Sequence, residues 1–245
     1  MKVFRAIVLA GSSTLCAVGP AAAQPDLGPH SSVGVSANVS TLGLGVDAAF
    51  PVLARANVRV GFNLFTLNHD FDNDGITLAA SLQMSSFSAH FDWFAFGGGF
   101  HISPGVMLYN GNKVTAVATV PAGRKFSLGD ENLFSNAANP LNGSARISWE
   151  SKVAPSLLIG WGNIIPHGDR RWSIPFELGV VYSKAPTSTL TFGGSACAQN
   201  GTNCRNIATD PTLQADVAKE QNNMNSDLSV LKLIPVVSLG FSYKF

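Results

Sequence analysis

The sequence predicts an all-β chain: an eight-stranded antiparallel up-and-down transmembrane β-barrel with one short amphipathic helix in its last external connection. Three observations carry this. Segment after segment alternates apolar with small or polar residues at a period of two, which gives a strand two different faces. The composition is 46% hydrophobic but only 13% charged, against about 25% charged in ordinary soluble domains. Beyond residue 23 the chain holds no run of about 20 apolar residues that could span a bilayer as a helix. In hydrocarbon every backbone N–H and C=O must be paired within the protein, so a membrane chain without spanning helices is left with a closed barrel.

The start of the chain points to export. Lys2 and Arg5 precede an apolar run reaching Gly19, and Pro20, Ala21, Ala22 and Ala23 follow. This is the pattern of a secretory signal peptide, residues 1–23, cut after Ala23 and leaving residues 24–245 as the barrel. Cys16 follows Leu15, a poor match to the small residue that lipoprotein acylation sites carry. Cleavage would remove two of the 16 basic residues and none of the 15 acidic ones, leaving no basic surplus for nucleic acid. An exported chain keeps disulfides, so Cys197 and Cys204 are expected to pair within one loop. A zinc site is the weaker alternative, with no histidine near them in sequence.

Eight segments carry the rhythm: 32–39, 41–50, 57–67, 76–93, 99–111, 147–161, 172–184 and 232–245. In 57–67, Val58, Val60, Phe62 and Leu64 alternate with Arg59, Gly61 and Asn63. In 172–184, Trp172, Ile174, Phe176, Leu178, Val180 and Tyr182 alternate with Ser173, Pro175, Glu177 and Gly179. The first segment changes parity at Ser40 and Thr41, read as a tight turn; without it seven strands could not close antiparallel. The fourth changes parity at Ser85 and Ser86, where a β-bulge is expected. Connections alternate short (51–56, 94–99, 163–171) with long (68–75, 110–146, 184–231). Outer-membrane barrels have short periplasmic turns and long external loops, so both termini fall on the periplasmic side. Phe50, Trp93, Phe94, Trp161, Trp172 and Phe245 lie beside the short turns or at the C-terminus, as an interfacial girdle would. A soluble sandwich also alternates, but the polar faces here are rich in Gly and Ser with isolated charges, which suits a narrow lumen. In the last long connection Asp210 can cap a helix, Pro211 fits its first turn, and Leu213, Val217, Met224 and Leu228 share a face. This predicts a helix over 211–228 on the outer side that acts as a lid on the barrel mouth, with a partner-binding helix as the alternative.

The ionisable residues with inward parity are Asp47, Arg59, His90, Asp92, His101, Glu150, Lys152, Glu177 and Lys244. A barrel of eight strands has room for its own side chains or one small ligand. Charges shut inside it must pair, because an unpaired buried charge is very costly. The expectation is a salt-bridged lumen; the functional variant is a constricted polar path that opens when those pairs break. His90 and Asp92, with Ser86 and Ser88, can be imagined as a hydrolytic triad. They lie near the periplasmic end and face the lumen, whereas an enzyme acting on lipid A must reach the outer leaflet. FDNDG (71–75) lacks the distal Glu of a calcium loop. His69 beside Asp70 is too little for a metal site, and His30 and His167 are isolated. No catalytic residue, cofactor or metal is therefore expected.

The closing stretch PVVSLGFSYKF (235–245) resembles the terminal strand by which the outer-membrane assembly machinery recognises its clients, with Phe245 last, Tyr243 and Phe241 sharing its face, and Gly240 pointing inward. The mature chain resembles the small eight-stranded outer-membrane barrels of the OmpA-transmembrane-domain and OmpW-like class. STLGLGVDAAF, DWFAFGGGFHISPGVMLYNGN and VAPSLLIGWGN resemble a group of mostly uncharacterised proteobacterial outer-membrane proteins. The resemblance implies an outer-membrane location and contact with membrane lipid, lipopolysaccharide and the assembly machinery; the chain is expected to depart from the OmpA protein in carrying no C-terminal peptidoglycan-binding domain. It implies no activity. The expected role is non-catalytic: structural, or passive passage or binding of a small solute. The alternative is a lipid A-modifying enzyme.

Overall fold

The computed structural model describes residues 32–73, 76–129, 131–149, 151, 153–198 and 201–245; the expected signal peptide and His30 lie outside them. In chain order the elements are β1 (Gly34–Ser40), β2 (Gly43–Leu53), β3 (Ala56–Asn73), β4 (Ile76–Trp93), β5 (His101–Asn110), β6 (Lys113–Val120), β7 (Lys125–Leu128) and β8 (Glu131–Ser135). They continue with β9 (Leu141–Ser148), β10 (Ala154–Trp161), β11 (Trp172–Ser173), β12 (Phe176–Tyr182), β13 (Thr187–Gly193), β14 (Ser195–Cys197), β15 (Arg205–Asn206), α1 (Pro211–Leu228) and β16 (Leu233–Lys244).

Eight of these strands close a barrel through antiparallel ladders in the order β1, β2, β3, β4, β5, β10, β12, β16 and back to β1. β1 joins the two ends of the chain: Val35 lies opposite Ala48 on one side and Tyr243 on the other. Closure leaves no free edge within the barrel, the condition for crossing lipid. Outward side chains stay exposed as an apolar belt, including Val46 (57%), Phe62 (45%), Leu157 (51%) and Leu239 (55%).

The ladders do not stop at the barrel. β6 carries β5 onward along β4, from Lys113 opposite Gln83 to Thr119 opposite Thr77. β9 then pairs with β6, and β13 with β9. The result is a wall, β3-β4-β6-β9-β13, standing above one side of the barrel. A second sheet, β15-β14-β8-β7, and α1 close its inner side. Their shared core holds Val120, Leu128, Leu133, Leu141, Ile207, Leu213 and Val217. Asp210 caps α1 by accepting from the N–H groups of Thr212 and Leu213, both at 3.0 Å, and Pro211 opens the helix. The helix thus roofs a folded external lobe instead of lying across the mouth as a lone lid. Two of the long connections, 110–146 and 184–231, are this lobe. The third, 68–75, is not a loop: β3 and β4 stay paired up to Asn73 opposite Ile76.

The expected bulge at Ser85 and Ser86 is absent from the β3–β4 ladder, which runs without a shift from Ala56 opposite Trp93 onward. A register shift occurs on the other side of β4, where partners step from Tyr109 at Phe87 to Met107 at Ser88. The parity change has a different cause. Below Leu64, which pairs with Ser85, the outward residues of β3 and β4 are Val58, Val60, Phe62, Phe87, Phe91 and Trp93. Above it they are Thr66, Asn68, Asp70, Ser81, Gln83 and Ser85. The inward set inverts at the same level: Arg59, Asn63, Asp92 and Ser88 below, Phe65, Leu67, Leu78, Leu82 and Met84 above. Above this level the outer face of the hairpin is polar, while Phe65, Leu67 and Phe71 on its inner face stay exposed and Met84 packs on the apolar residues inside the barrel; a strand passing from hydrocarbon to water would carry this pattern.

Of the expected girdle, Phe50, Trp93, Trp161, Trp172 and Phe245 are exposed. Phe94 is not: it is 2% exposed and packs against the rings of His101 and His167. Its place beside Trp161 is taken by Phe100, with ring centroids 5.4 Å apart.

Cys197 and Cys204 form a disulfide across seven positions at the end of the lobe. Reduction should loosen the lobe by about 2–3 kcal/mol, the chain-entropy value for so short a loop. It should leave the barrel intact, because neither cysteine belongs to a barrel strand. Limited proteolysis with and without reductant reads this as faster cutting in 184–210 with an unchanged barrel fragment.

Candidate functional site

The interior is filled in layers. At the end of the barrel opposite the lobe, the turn after β10 folds back into the barrel. Ile164 and Ile165 bury against Ala49, Asn57 Nδ2 donates to Asn163 Oδ1 at 2.9 Å, and Lys244 Nζ donates to the carbonyls of Pro166 (2.9 Å) and Gly168 (2.6 Å). Lys244 is therefore a clamp on this plug and not a member of the lumen charge cluster.

Above the plug lies that cluster. Arg59, 4% exposed, donates from Nε (3.0 Å) and Nη2 (3.1 Å) to both oxygens of Asp92. It donates from Nη1 (2.9 Å) and Nη2 (2.5 Å) to both oxygens of Glu177. Asp47 stands 4.0 Å from Nη1 and accepts from Asn38 Nδ2 at 2.6 Å. His101 has Nε2 3.1 Å from Glu177 and Nδ1 3.2 Å from the Gly99 carbonyl. The planar fork of arginine matches two carboxylates at once, which a lysine could not do. Inward glycines make the room: a Cβ at Gly61 would collide with Asp47, and one at Gly105 with the His90 ring.

His90 sits one level higher. Its Nε2 is 3.1 Å from Ser156 Oγ, and it lines a small cavity of about 20 Å³, room for about one water. The carboxylate of Asp92 is taken by Arg59, so the imagined set of Ser86, Ser88, His90 and Asp92 is not arranged as a triad. Above His90 an apolar layer crosses the barrel: Leu42, Met107, Ala154, Leu158, Val181 and Val236, with Met84 and Ile234 packed on it.

Of the nine inward charges expected from sequence, Asp47, Arg59, Asp92, His101 and Glu177 meet in one cluster, and His90 stands apart with Ser156. The side chains of Glu150 and Lys152 fall outside the described residues. The plug and the apolar layer were missed. The layer had a signal, since Met107, Val181 and Val236 share the inward parity of the charges; so did the plug, in the apolar pair of NIIP within a supposedly polar turn. Among the described residues no cluster of His, Cys, Asp or Glu could hold a metal ion.

Fold and interior together define a small closed antiparallel barrel with a filled lumen and an external lobe. No family model matches the sequence, and no curated protein matches it. Two solved structures share the architecture. One is CarO from Acinetobacter baumannii, with a TM-score of 0.56 at 20% identity over 86% of this chain and 97% of that one. The other is CarO2 from the same organism, with a TM-score of 0.55 at 16% identity over 87% of this chain and 98% of that one. The likeness is one of fold.

Proposed function

We propose that the chain is a non-catalytic outer-membrane barrel protein whose lumen is shut, and that its role is structural or lies in binding a small solute at the outer face rather than in free passage. The apolar belt and the exposed aromatics at the periplasmic rim support residence in lipid. The outer-membrane barrels CarO and CarO2, alike in fold, support the same location. Phe241, Tyr243 and Phe245 lie outward beside Trp172, with Gly240 inward, an arrangement that suits a terminal strand read by the assembly machinery. Lipopolysaccharide would surround the upper belt.

The observation that carries the reading is the layer of Met107, Leu158, Val181 and Val236 stacked over a charge cluster and a plug. Ions crossing it would shed water without gaining a partner. Purified native protein in planar bilayers is expected to give no stable conductance, and to migrate differently on gels when boiled and unboiled. Steady ohmic steps would replace this reading with a pore. Lipid A altered on overexpression, and restored by His90→Ala, would replace it with the enzyme.

A further inference from the structure

We propose that the upper edge of β3, residues 65–73, is a docking site for an extended polypeptide segment that is apolar on one face and basic on the other. The inference rests on the reading that this edge stands outside the membrane.

The wall above the barrel ends at two strands, β13 and β3, and the protein treats them differently. The edge of β13 is covered by α1. Gln221 and Asn225, one helical turn apart, accept from the backbone N–H groups of Leu190 (3.0 Å) and Ser188 (2.7 Å). β3 has no such cover in the described residues. β2 leaves it after Leu44 opposite Leu64, while β3 runs on to Asn73 with β4 on one side only. In an antiparallel ladder alternate residues turn their N–H and C=O groups away from the partner, so this stretch offers half its backbone groups to an incoming strand. Lys and Pro, the common guards of a sheet edge, are absent from FTLNHDFDN.

The side chains specify what would pair there. Phe65, Leu67 and Phe71 remain 37%, 52% and 37% exposed on the inner face, and His69 packs edge-on against Phe71 at 4.5 Å. The outer face carries Thr66, Asn68, Asp70 and Asp72. An added strand would lay apolar side chains beside the first set and a cation beside Asp70, the pairing that stabilises neighbouring strands. A second copy of the same edge, FTLNHDFDN, holds no Lys or Arg to set beside Asp70, so the partner that fits is a different, basic segment.

The test uses the full chain folded in detergent micelles, with heat-modifiable migration as the control for the barrel. The probe is an end-blocked nine-residue peptide alternating lysine and valine; the control peptide carries proline at alternate valines. The lysine–valine peptide should slow hydrogen exchange at alternate amides of 65–73, and Asp70→Lys should weaken its binding about two- to fivefold. The inference is overturned by unchanged exchange at 65–73 or by equal binding of the proline control. It is also overturned by slowing that needs no peptide and grows with protein concentration, which would make a second copy the occupant. A heat-modifiable protein that ignores the peptide sinks this inference alone; loss of heat modifiability sinks the membrane reading beneath it.

Discussion

Arg59→Ala is expected to destabilise the barrel by about 3–5 kcal/mol, the cost of removing one partner from a buried ionic network. The guanidinium sits between Asp92 and Glu177 with Asp47 at 4.0 Å, so its loss leaves three buried carboxylates without their shared cation. Arg59→Lys should recover little, because a single ammonium cannot bond both oxygens of two carboxylates. Glu177→Gln should cost less than Arg59→Ala, since it removes a charge from the acidic majority and keeps the shape. Urea titration in lipid vesicles, read by the gel shift between folded and unfolded forms, gives the midpoints. A loss below about 1 kcal/mol for Arg59→Ala would mean that the cluster is wet and screened like a surface pair.

The second large effect concerns the apolar layer. Met107→Ala and Leu158→Ala should each cost about 2–5 kcal/mol, through lost burial and the cavity left behind. Met107 is 1% exposed and Leu158 4%, and they meet over the small cavity beside His90. Joining that cavity to a new void lets water in from above, so the double variant should show brief conductance events in planar bilayers where the native protein shows none. Unchanged stability with unchanged electrical silence would place the seal elsewhere, in the plug around Ile164 and Ile165.

The barrel was legible because strands facing lipid write their burial into every second residue. Val58, Phe62, Leu178 and Val180 needed no partner to be read as outward, and Asp47, Arg59, Asp92 and Glu177 fell on the other parity together. Reading failed where the solvent changed. The inversion at Leu64 and Ser85 resembles a bulge in sequence, because a change of outside medium and an inserted residue switch the parity of a strand in the same way. The pairing within 110–146 and 184–231 is set by tertiary contacts with the wall, which local pattern does not carry. Phe94 and Lys244 were misplaced for a related reason: position beside a turn says little when the turn itself folds inward, as residues 163–166 do.

On the proposed membrane placement, β4 passes from hydrocarbon to water at the level of Ser85. Single cysteines at its outward positions test this directly, because both cysteines of the external lobe are bonded to each other. In folded protein in vesicles, a water-soluble maleimide should label Ala79→Cys, Ser81→Cys and Gln83→Cys and leave Phe87→Cys, Ala89→Cys and Phe91→Cys unreacted. Equal labelling of all six, or silence at the upper three, would contradict it.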